Sequence, residues 1–127
     1  LPFINGCLNY GYAVLLSAIN REIVASGYVT QIGVWHDNEF NEFNLGSDLL
    51  EPLRTIVDET ALNIEPGDAA FKRKMANVLN YSVTFGEKST TLDVAIRQYV
   101  KSVLTALEVN DAEEAVFPEE AEILYEQ

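Results

Sequence analysis

Two segments of the sequence repeat apolar residues at steps of three and four, and this spacing constrains the fold more than any other feature. The first segment, residues 6–26, follows Asn5 as a predicted N-cap, and the last follows Thr90 or Thr91. The repeated apolar positions are Leu8, Tyr12, Leu15, Ile19 and Ile23 in the first segment and Leu92, Ile96, Tyr99, Val103 and Leu107 in the last. Such spacing predicts two α-helices. The first is apolar on more than one face, so we expect it to be central and largely buried.

Between these two helices the residue pattern predicts shorter elements. They are a helix from Gly46 or Ser47 to about Asn63, a short helix over 71–79, a strand over 81–85, a turn at 86–88 and a returning strand over 89–92. Residues 28–45 lose the periodicity and are predicted to form a loop, with a short extended piece at 29–35. The fold class expected from the sequence is therefore mainly α, with at most one small β-hairpin.

The charge of the 127-residue chain is concentrated near its end. Twenty acidic and eight basic side chains give a formal net charge of −12, and residues 110–127 contain seven of the acids and no base. We therefore divide the chain into a folded domain, residues 1–109, and an acidic C-terminal tail, residues 110–127, that is solvated or loosely docked. Because phosphate neutralisation requires an excess of lysine and arginine, the charge argues against a freestanding, non-specific nucleic-acid binder.

The single cysteine bears on the redox state of the compartment, and the lack of long apolar runs bears on insertion into a membrane. Cys7 stands alone, which excludes an internal disulfide and a cysteine-rich zinc site and is consistent with a reducing compartment. No apolar run approaches the ~20 residues that a membrane helix needs. We expect a soluble, cytoplasmic protein with no membrane partner.

The densest group of reactive side chains lies between His36 and Arg54. Asp48 and Glu51 are three residues apart, so on a helix their carboxylates share a face, and His36 from the preceding loop can complete a mixed nitrogen and oxygen site. This donor set suits Mn²⁺, with Mg²⁺ as the alternative, better than a structural zinc ion. The same residues allow a plainer interpretation, in which Asp48 is a charge at the helix start and Glu51 forms a surface ion pair with Arg54.

The run from Asn9 to Arg54 also carries a specific combination of residues. It consists of Leu8-Asn9-Tyr10-Gly11-Tyr12, Thr30-Gln31-Ile32-Gly33, His36, Asn38, Phe40, Asn41, Phe43, Asn44, Leu45, Ser47, Asp48, Glu51, Pro52 and Arg54. This combination resembles the helical domain of the CRISPR-associated integrase, the metal-dependent subunit of the spacer-acquisition complex. The pattern of phenylalanine and asparagine is most similar to the type II-A branch, and the resemblance extends more weakly over residues 4–108.

The resemblance implies roles for several of these residues. His36 and Glu51 would be metal ligands, with Asp48 in or beside the coordination sphere. Arg54 would hold a neighbouring phosphate, or would remain paired with Glu51 or Asp58. The family's remaining ligand is a glutamate upstream of the Asn-Tyr-Gly-Tyr motif, and a β-rich N-terminal domain makes its homodimer. Since neither is present in this sequence, we expect the chain to be the C-terminal helical catalytic domain of the integrase, truncated at its N-terminus.

DNA would be the substrate, although basic residues are few. The candidate DNA contacts beside Arg54 are Lys72, Arg73 and Lys74, with Arg97 and Lys101 sharing a face of the last helix. A solvated helix face is the alternative for both groups. Tyr10 and Tyr12 either border the metal site or belong to the core.

By this resemblance the complete protein inserts short DNA fragments into a CRISPR array by metal-dependent transesterification, with related endonuclease activity. Its partners would be spacer-precursor and repeat DNA, a second copy bound through the N-terminal domain, and a smaller protein of the adaptation complex. We expect the fragment to have an incomplete metal site and little or no activity. Two alternatives stay open: an interaction module that docks other adaptation proteins through the acidic tail, and an unrelated helical metallophosphoesterase.

Overall fold

The computed structural model describes residues 2–26, 42–109 and 122–124. The helices are α1 (Pro2–Ala25), α2 (Glu42–Leu50), α3 (Arg54–Leu62), α4 (Phe71–Ala76) and α5 (Leu92–Val109). Short 3₁₀ helices occupy Glu51–Leu53 and Asn77–Asn80, and the strands are β1 (Ser82–Phe85), β2 (Lys88–Thr91) and β3 (Glu122–Leu124). The fold class is therefore mainly α, as the sequence predicted. No helix among the described residues is long and apolar enough to cross a lipid bilayer.

Helix α1 lies at the centre of the fold and contacts α2, α3, α4 and α5. Three of its apolar residues at helical spacing, Leu15, Ile19 and Ile23, are buried, which confirms the predicted central position. The helix begins at Pro2 rather than at residue 6, so the prediction of Asn5 as its N-cap is wrong. Proline fits the first helical position because its missing N–H would have no partner within the helix.

A glycine of α1 allows two other helices to approach closely. A Cβ atom at Gly11 would lie 2.7 Å from side-chain carbons of both Val57 on α3 and Met75 on α4. Since carbon atoms do not approach so closely without displacement, any other residue here would push α3 or α4 outward. Gly11 thus sets how near the Asn-Tyr-Gly-Tyr motif lies to α3 and α4.

The predicted start of the second helix is wrong, and packing explains the error. Helix α2 begins at Glu42, and Gly46 lies in its interior. A Cβ atom at Gly46 would overlap the Asn20 side-chain oxygen and lie 3.2 Å from Leu16 Cδ1. Gly46 therefore serves the close approach of α2 to α1 and does not mark a helix terminus. Because α2 begins earlier, Asp48 is outside its first turn, and the predicted role of Asp48 as a charge at the helix start is wrong as well.

A proline interrupts the helical path between α2 and α3. Pro52 lies in the 3₁₀ turn Glu51–Leu53, where it has no N–H to donate to the carbonyl of Asp48, four residues earlier. The buried side chain of Tyr99 on α5 supports this break, since its hydroxyl donates a hydrogen bond of 2.9 Å to the Leu49 carbonyl. Helix α5 thus fixes the stretch that carries Asp48 and Glu51.

The small sheet contains the predicted hairpin and one further strand. β1 and β2 pair antiparallel from Ser82 opposite Thr91 to Phe85 opposite Lys88, around a turn in which Gly86 has φ +66°. The Thr91 hydroxyl accepts a hydrogen bond of 3.4 Å from the Val94 N–H, as predicted for the cap of α5.

Strand β3 comes from the acidic tail and was not predicted. It pairs antiparallel with the other edge of β1, which gives the strand order β2-β1-β3. Three residues of the tail, 122–124, are thus attached to the sheet through main-chain hydrogen bonds. The remainder of the tail, the extended piece predicted at 29–35 and most of the predicted loop over 28–45 lie outside the described residues.

Candidate functional site

Four side chains from α1, the 3₁₀ turn and α3 form a polar cluster that we call the Tyr12–Arg54 cluster; its members are Tyr12, Glu51, Arg54 and Asp58. The Arg54 guanidinium carbon lies 4.5 Å from the centroid of the Tyr12 ring. Arg54 Nη1 is 3.3 Å from Glu51 Oε2. The Tyr12 hydroxyl donates a hydrogen bond to Asp58 Oδ1. The cluster therefore places a cation against an aromatic face and next to a carboxylate.

The local backbone explains why these side chains meet. Side chains three residues apart eclipse in a 3₁₀ turn, so Glu51 and Arg54 lie side by side at the break caused by Pro52. Asp58 follows Arg54 by four residues on α3 and therefore shares its face. Tyr12 reaches them from α1 because its neighbour Gly11 permits the close approach to α3.

The ion pair in this cluster is open to solvent. The Arg54 side chain is 44% exposed and that of Glu51 is 69% exposed. An ion pair at such exposure contributes about 0–1 kcal/mol, and a cation over an exposed aromatic ring about 0.5–1 kcal/mol. Arg54 is therefore held weakly enough to exchange Glu51 for another anion while it stays over the Tyr12 ring.

Tyr12 is the half-buried part of the cluster. Burial, followed by the hydrogen bond to Asp58, raises the pKa of the Tyr12 hydroxyl above its usual value. The hydroxyl thus remains protonated at neutral pH and donates to Asp58. This hydrogen bond fixes the plane of the ring that lies under Arg54.

Two of the three predicted metal ligands lie on this stretch of the chain. Asp48 on α2 and Glu51 in the 3₁₀ turn are both exposed, and they flank the step from α-helix to 3₁₀ helix. His36, the third, lies outside the described residues. Among the residues that the structure describes, no three histidine, cysteine or acidic side chains come together as a metal site. The two carboxylates supply oxygen donors of the kind that Mn²⁺ and Mg²⁺ accept, and so fit part of such a site.

The predicted DNA contacts on α4 have three different surroundings. Lys72 Nζ lies 5.8 Å from the centroid of the Tyr10 ring. Lys74 Nζ is 2.5 Å from Asp68 Oδ2. Arg73 is exposed and forms no ion pair with any described residue. The three adjacent bases therefore do not form one uniform surface.

The other two basic candidates, on α5, are paired with carboxylates. Arg97 Nη2 lies 3.5 Å from Asp93 Oδ2, and Lys101 Nζ lies 3.8 Å from the nearly buried Glu22 carboxylate. Both basic side chains are more than half exposed. This geometry is thus compatible with the alternative given in the sequence analysis, in which Arg97 and Lys101 lie on a solvated helix face.

Comparison with known proteins assigns the family. The family model described as CRISPR associated protein Cas1 matches residues 3–103. The chain belongs to the Cas1 family. One relative, the CRISPR-associated endonuclease Cas1 of Neisseria meningitidis serogroup C (strain 8013), is 30% identical over 123 residues. That comparison covers 91% of this chain and 40% of the relative, so the chain spans about two fifths of the length of the Cas1 relative it matches.

The Cas1 match includes the whole candidate site. Residues 3–103 run from α1 through the hairpin into α5 and contain the Tyr12–Arg54 cluster together with the three predicted ligands. The acidic tail lies beyond the matched residues. The predicted resemblance is thereby confirmed at the level of the Cas1 family, whereas the type II-A branch and the C-terminal placement stay predictions.

Sequence reasoning missed part of this site. It considered Asp58 only as a possible partner of Arg54, whereas Asp58 binds the Tyr12 hydroxyl. The spacing of Glu51, Arg54 and Asp58 at steps of three and four could have shown that they share a face. Tyr10 was grouped with Tyr12, but its ring lies against Phe71 on α4, with 6.4 Å between centroids.

Proposed function

We propose that this chain is the C-terminal helical part of a type II-A-like Cas1 integrase. The complete protein would join short DNA fragments to a CRISPR array in the cytoplasm by metal-dependent transesterification of phosphodiesters, with related endonuclease activity. One observation carries the proposal: within the region that matches the Cas1 family, the exposed stretch 48–54 carries two carboxylates, Asp48 and Glu51, and the second of them is paired with the Arg54 guanidinium.

The donor set supports a divalent cation at this stretch. Asp48, Glu51 and His36 would hold Mn²⁺ or Mg²⁺, with carboxylate oxygens and one imidazole nitrogen as donors. A bound ion of this kind stabilises the charge that develops on a phosphate and on the leaving oxygen. The exposure of both carboxylates leaves them accessible to a phosphodiester without a change in the helical core.

Arg54 would position the DNA phosphate. A guanidinium binds phosphate through two parallel charge-assisted hydrogen bonds, which are stronger than its exposed ion pair with Glu51. Tyr12 would hold the guanidinium in place during the exchange, because the cation lies over a ring that Asp58 orients. Glu51, once released from Arg54, would be available as a ligand of the cation.

The proposed partners agree with the charge of the chain. At net charge −12 the chain itself offers DNA only local basic contacts, and the proposed second copy and smaller adaptation protein would supply the rest of the positive surface. Spacer-precursor and repeat DNA would then meet the Tyr12–Arg54 cluster within an assembly whose positive charge lies outside this chain.

Calorimetric titration of Mn²⁺ into the 127-residue chain tests the proposal. We expect Glu51→Ala and His36→Ala each to weaken binding by about tenfold or more, since each removes a ligand. Glu59→Ala on α3, an equally exposed glutamate outside the cluster, is the matched control and should leave the affinity unchanged. Equal weakening by Glu59→Ala, or unchanged binding in the first two variants, would show that these residues do not form the site.

Arg54→Ala separates phosphate binding from a purely structural ion pair. The variant should weaken binding of a DNA duplex, while Mn²⁺ affinity stays the same or rises a few-fold, because Glu51 loses a competing cation. The loss is therefore expected in DNA binding and not in Mn²⁺ binding. DNA binding that is unaffected in Arg54→Ala would leave this side chain only its contacts with Glu51 and Tyr12.

A further inference from the structure

The distribution of the basic side chains points to a second polar site. All eight lysine and arginine residues are among the described residues, and four of them form ion pairs. The bases without an ion pair to a described residue are Arg21, Lys72, Arg73 and Lys88. Arg21 borders a groove together with Glu22 and Asp93, whose carboxylates would repel an anion. Arg73 is different, because the cavity that it lines contains no carboxylate.

This cavity lies between the end of α3 and α4, and we call it the α3–α4 pocket. Its volume is about 500 Å³, which is large enough for a nucleotide unit. The polar side chains that line it are Thr60, Asn63, Arg73, Lys74, Asn77 and Tyr81. Two cations and two amides in a lining without acids favour an anionic ligand.

Hydrogen bonds around the α3–α4 pocket orient its donors. Asn77 Oδ1 accepts a hydrogen bond of 3.1 Å from Asn80 Nδ2, so the amide NH₂ of Asn77 is the group left for a ligand. The Thr60 hydroxyl donates to the Ile56 carbonyl at 2.8 Å. The Tyr81 hydroxyl, 3.0 Å from Thr60 Oγ1, must therefore be the donor in that pair, which fixes its position at the pocket wall.

Lys74 is fixed at the edge of the pocket by a residue outside the lining. Its ammonium group is 2.5 Å from Asp68 Oδ2, and Asp68 Oδ1 also accepts a hydrogen bond of 2.8 Å from the Ala70 N–H. The Lys74 charge is thus largely balanced by Asp68. Arg73 feels the Asp68 charge only at longer range and forms no ion pair with it, so Arg73 supplies most of the net positive charge of the site.

We propose that the α3–α4 pocket binds a phosphate group of a nucleic-acid strand, with the Arg73 guanidinium and the Asn77 amide as donors. The phosphate chemistry follows from the pocket itself, and only the assignment of DNA as its source rests on the proposed function. Arg54 begins α3 and Asn63 follows its end, so the two sites are separated by about 13 Å along the helix, which is a distance of only a few nucleotides. One DNA strand can therefore span both sites.

Adjacent residues of α4 provide a matched pair of variants. In the 127-residue chain, with EDTA present to remove divalent cations, we expect Arg73→Ala to weaken binding of a fluorescent single-stranded oligonucleotide about tenfold. The slope of log K against log salt should become shallower by about 0.7, as for one lost phosphate contact. Lys72→Ala makes the same change of charge at an exposed neighbour that lies over Tyr10, and should change the affinity less than threefold. Equal losses in both variants would overturn the pocket in favour of diffuse surface charge.

Two further measurements separate the source of the phosphate. Asn77→Asp places a carboxylate in the lining and should abolish binding of both the oligonucleotide and inorganic phosphate. If Arg73→Ala weakens the binding of inorganic phosphate but not that of the oligonucleotide, the assignment to DNA is overturned. If Arg73→Ala weakens the binding of neither ligand, the proposal of a phosphate site in the pocket is overturned altogether. Since these assays contain EDTA, they are independent of the Mn²⁺ titration, whose failure would count against the proposed function alone.

Discussion

Replacement of Tyr99 by phenylalanine tests how α5 supports the stretch that carries the candidate ligands. Tyr99 is 1% exposed, and its hydroxyl donates a hydrogen bond of 2.9 Å to the Leu49 carbonyl. Leu49 lies just before the 3₁₀ turn in which Pro52 contributes no N–H. Phenylalanine preserves the apolar contacts of the ring, so Tyr99→Phe removes the hydroxyl and leaves the Leu49 carbonyl without this donor.

The expected loss of stability follows from that difference. A typical hydrogen bond contributes about 0.5–1.5 kcal/mol net, and a buried polar group left without a partner costs about 1–3 kcal/mol. We therefore expect Tyr99→Phe to lower the free energy of unfolding by about 1–2 kcal/mol. With an unfolding entropy of about 2.1 cal/mol/K per residue and the roughly 100 residues that the structure describes, the unfolding midpoint should fall by about 5–10 °C.

Thermal unfolding followed by far-UV circular dichroism at pH 7 measures this shift. Tyr10→Phe is the matched control, because the contacts of Tyr10 with Phe71 and Lys72 are made by the ring and survive the change. Its midpoint should stay within about 2 °C of the parent chain, as expected for a surface change below ~0.5 kcal/mol. Equal midpoints for Tyr99→Phe and Tyr10→Phe would refute the role given to the Tyr99 hydroxyl.

Two further predictions concern packing and pH. Gly46→Ala should lower the free energy of unfolding, measured in urea, by about 1–3 kcal/mol, because the added methyl group overlaps side chains of α1. Gly6→Ala is the control: the space around Gly6 is open, so this change should raise the free energy of unfolding by up to ~1 kcal/mol. Changes of the same sign in both variants would contradict the packing argument. The hydrogen bond to Lys74, followed by that to the Ala70 N–H, lowers the pKa of Asp68. The ionised Asp68 therefore stabilises the folded chain above its unfolded-state pKa near ~3.9, and this stabilisation is lost as the pH falls through the lower folded-state pKa. Asp68→Asn should therefore flatten the acid limb of the unfolding midpoint measured from pH 7 to pH 2, and an unchanged limb would count against this assignment.

Local patterns were sufficient for the elements but not for all of their boundaries. The central helix, the hairpin and the Thr91 cap follow from residues that are close in sequence, and each is present. The prediction of where α2 starts is wrong because glycine has two uses that look alike in a sequence. Gly46 was interpreted as a helix start, whereas it is needed where α2 packs on Asn20 of α1. A contact between distant residues decided that boundary, and no local signal reports it.

The distinction between local patterns and contacts of distant residues applies to the candidate site as well. The acidic and basic residues of the stretch 48–54 could be named from their spacing, and one alternative considered for them, the Glu51–Arg54 ion pair, is present. The Tyr12 ring beneath Arg54 could not be predicted, because its position on a largely buried helix is equally typical of a core residue. The α3–α4 pocket has no sequence signature, since its cations lie on α4 and its amides lie after the end of α3 and in the 3₁₀ helix Asn77–Asn80.

Pro52 shows how one residue connects the fold to the proposed chemistry. A helix that began at Gly46 or Ser47, as the sequence predicts, would place Pro52 close to its first turn, where backbone N–H groups lack partners. In the structure Pro52 lies in the middle of a longer helical path, and the chain responds with a 3₁₀ turn. Because that turn eclipses residues three apart, it brings the Glu51 carboxylate beside the Arg54 guanidinium. The competition of metal and phosphate that we propose for Glu51 and Arg54 would therefore take place at the turn that contains Pro52.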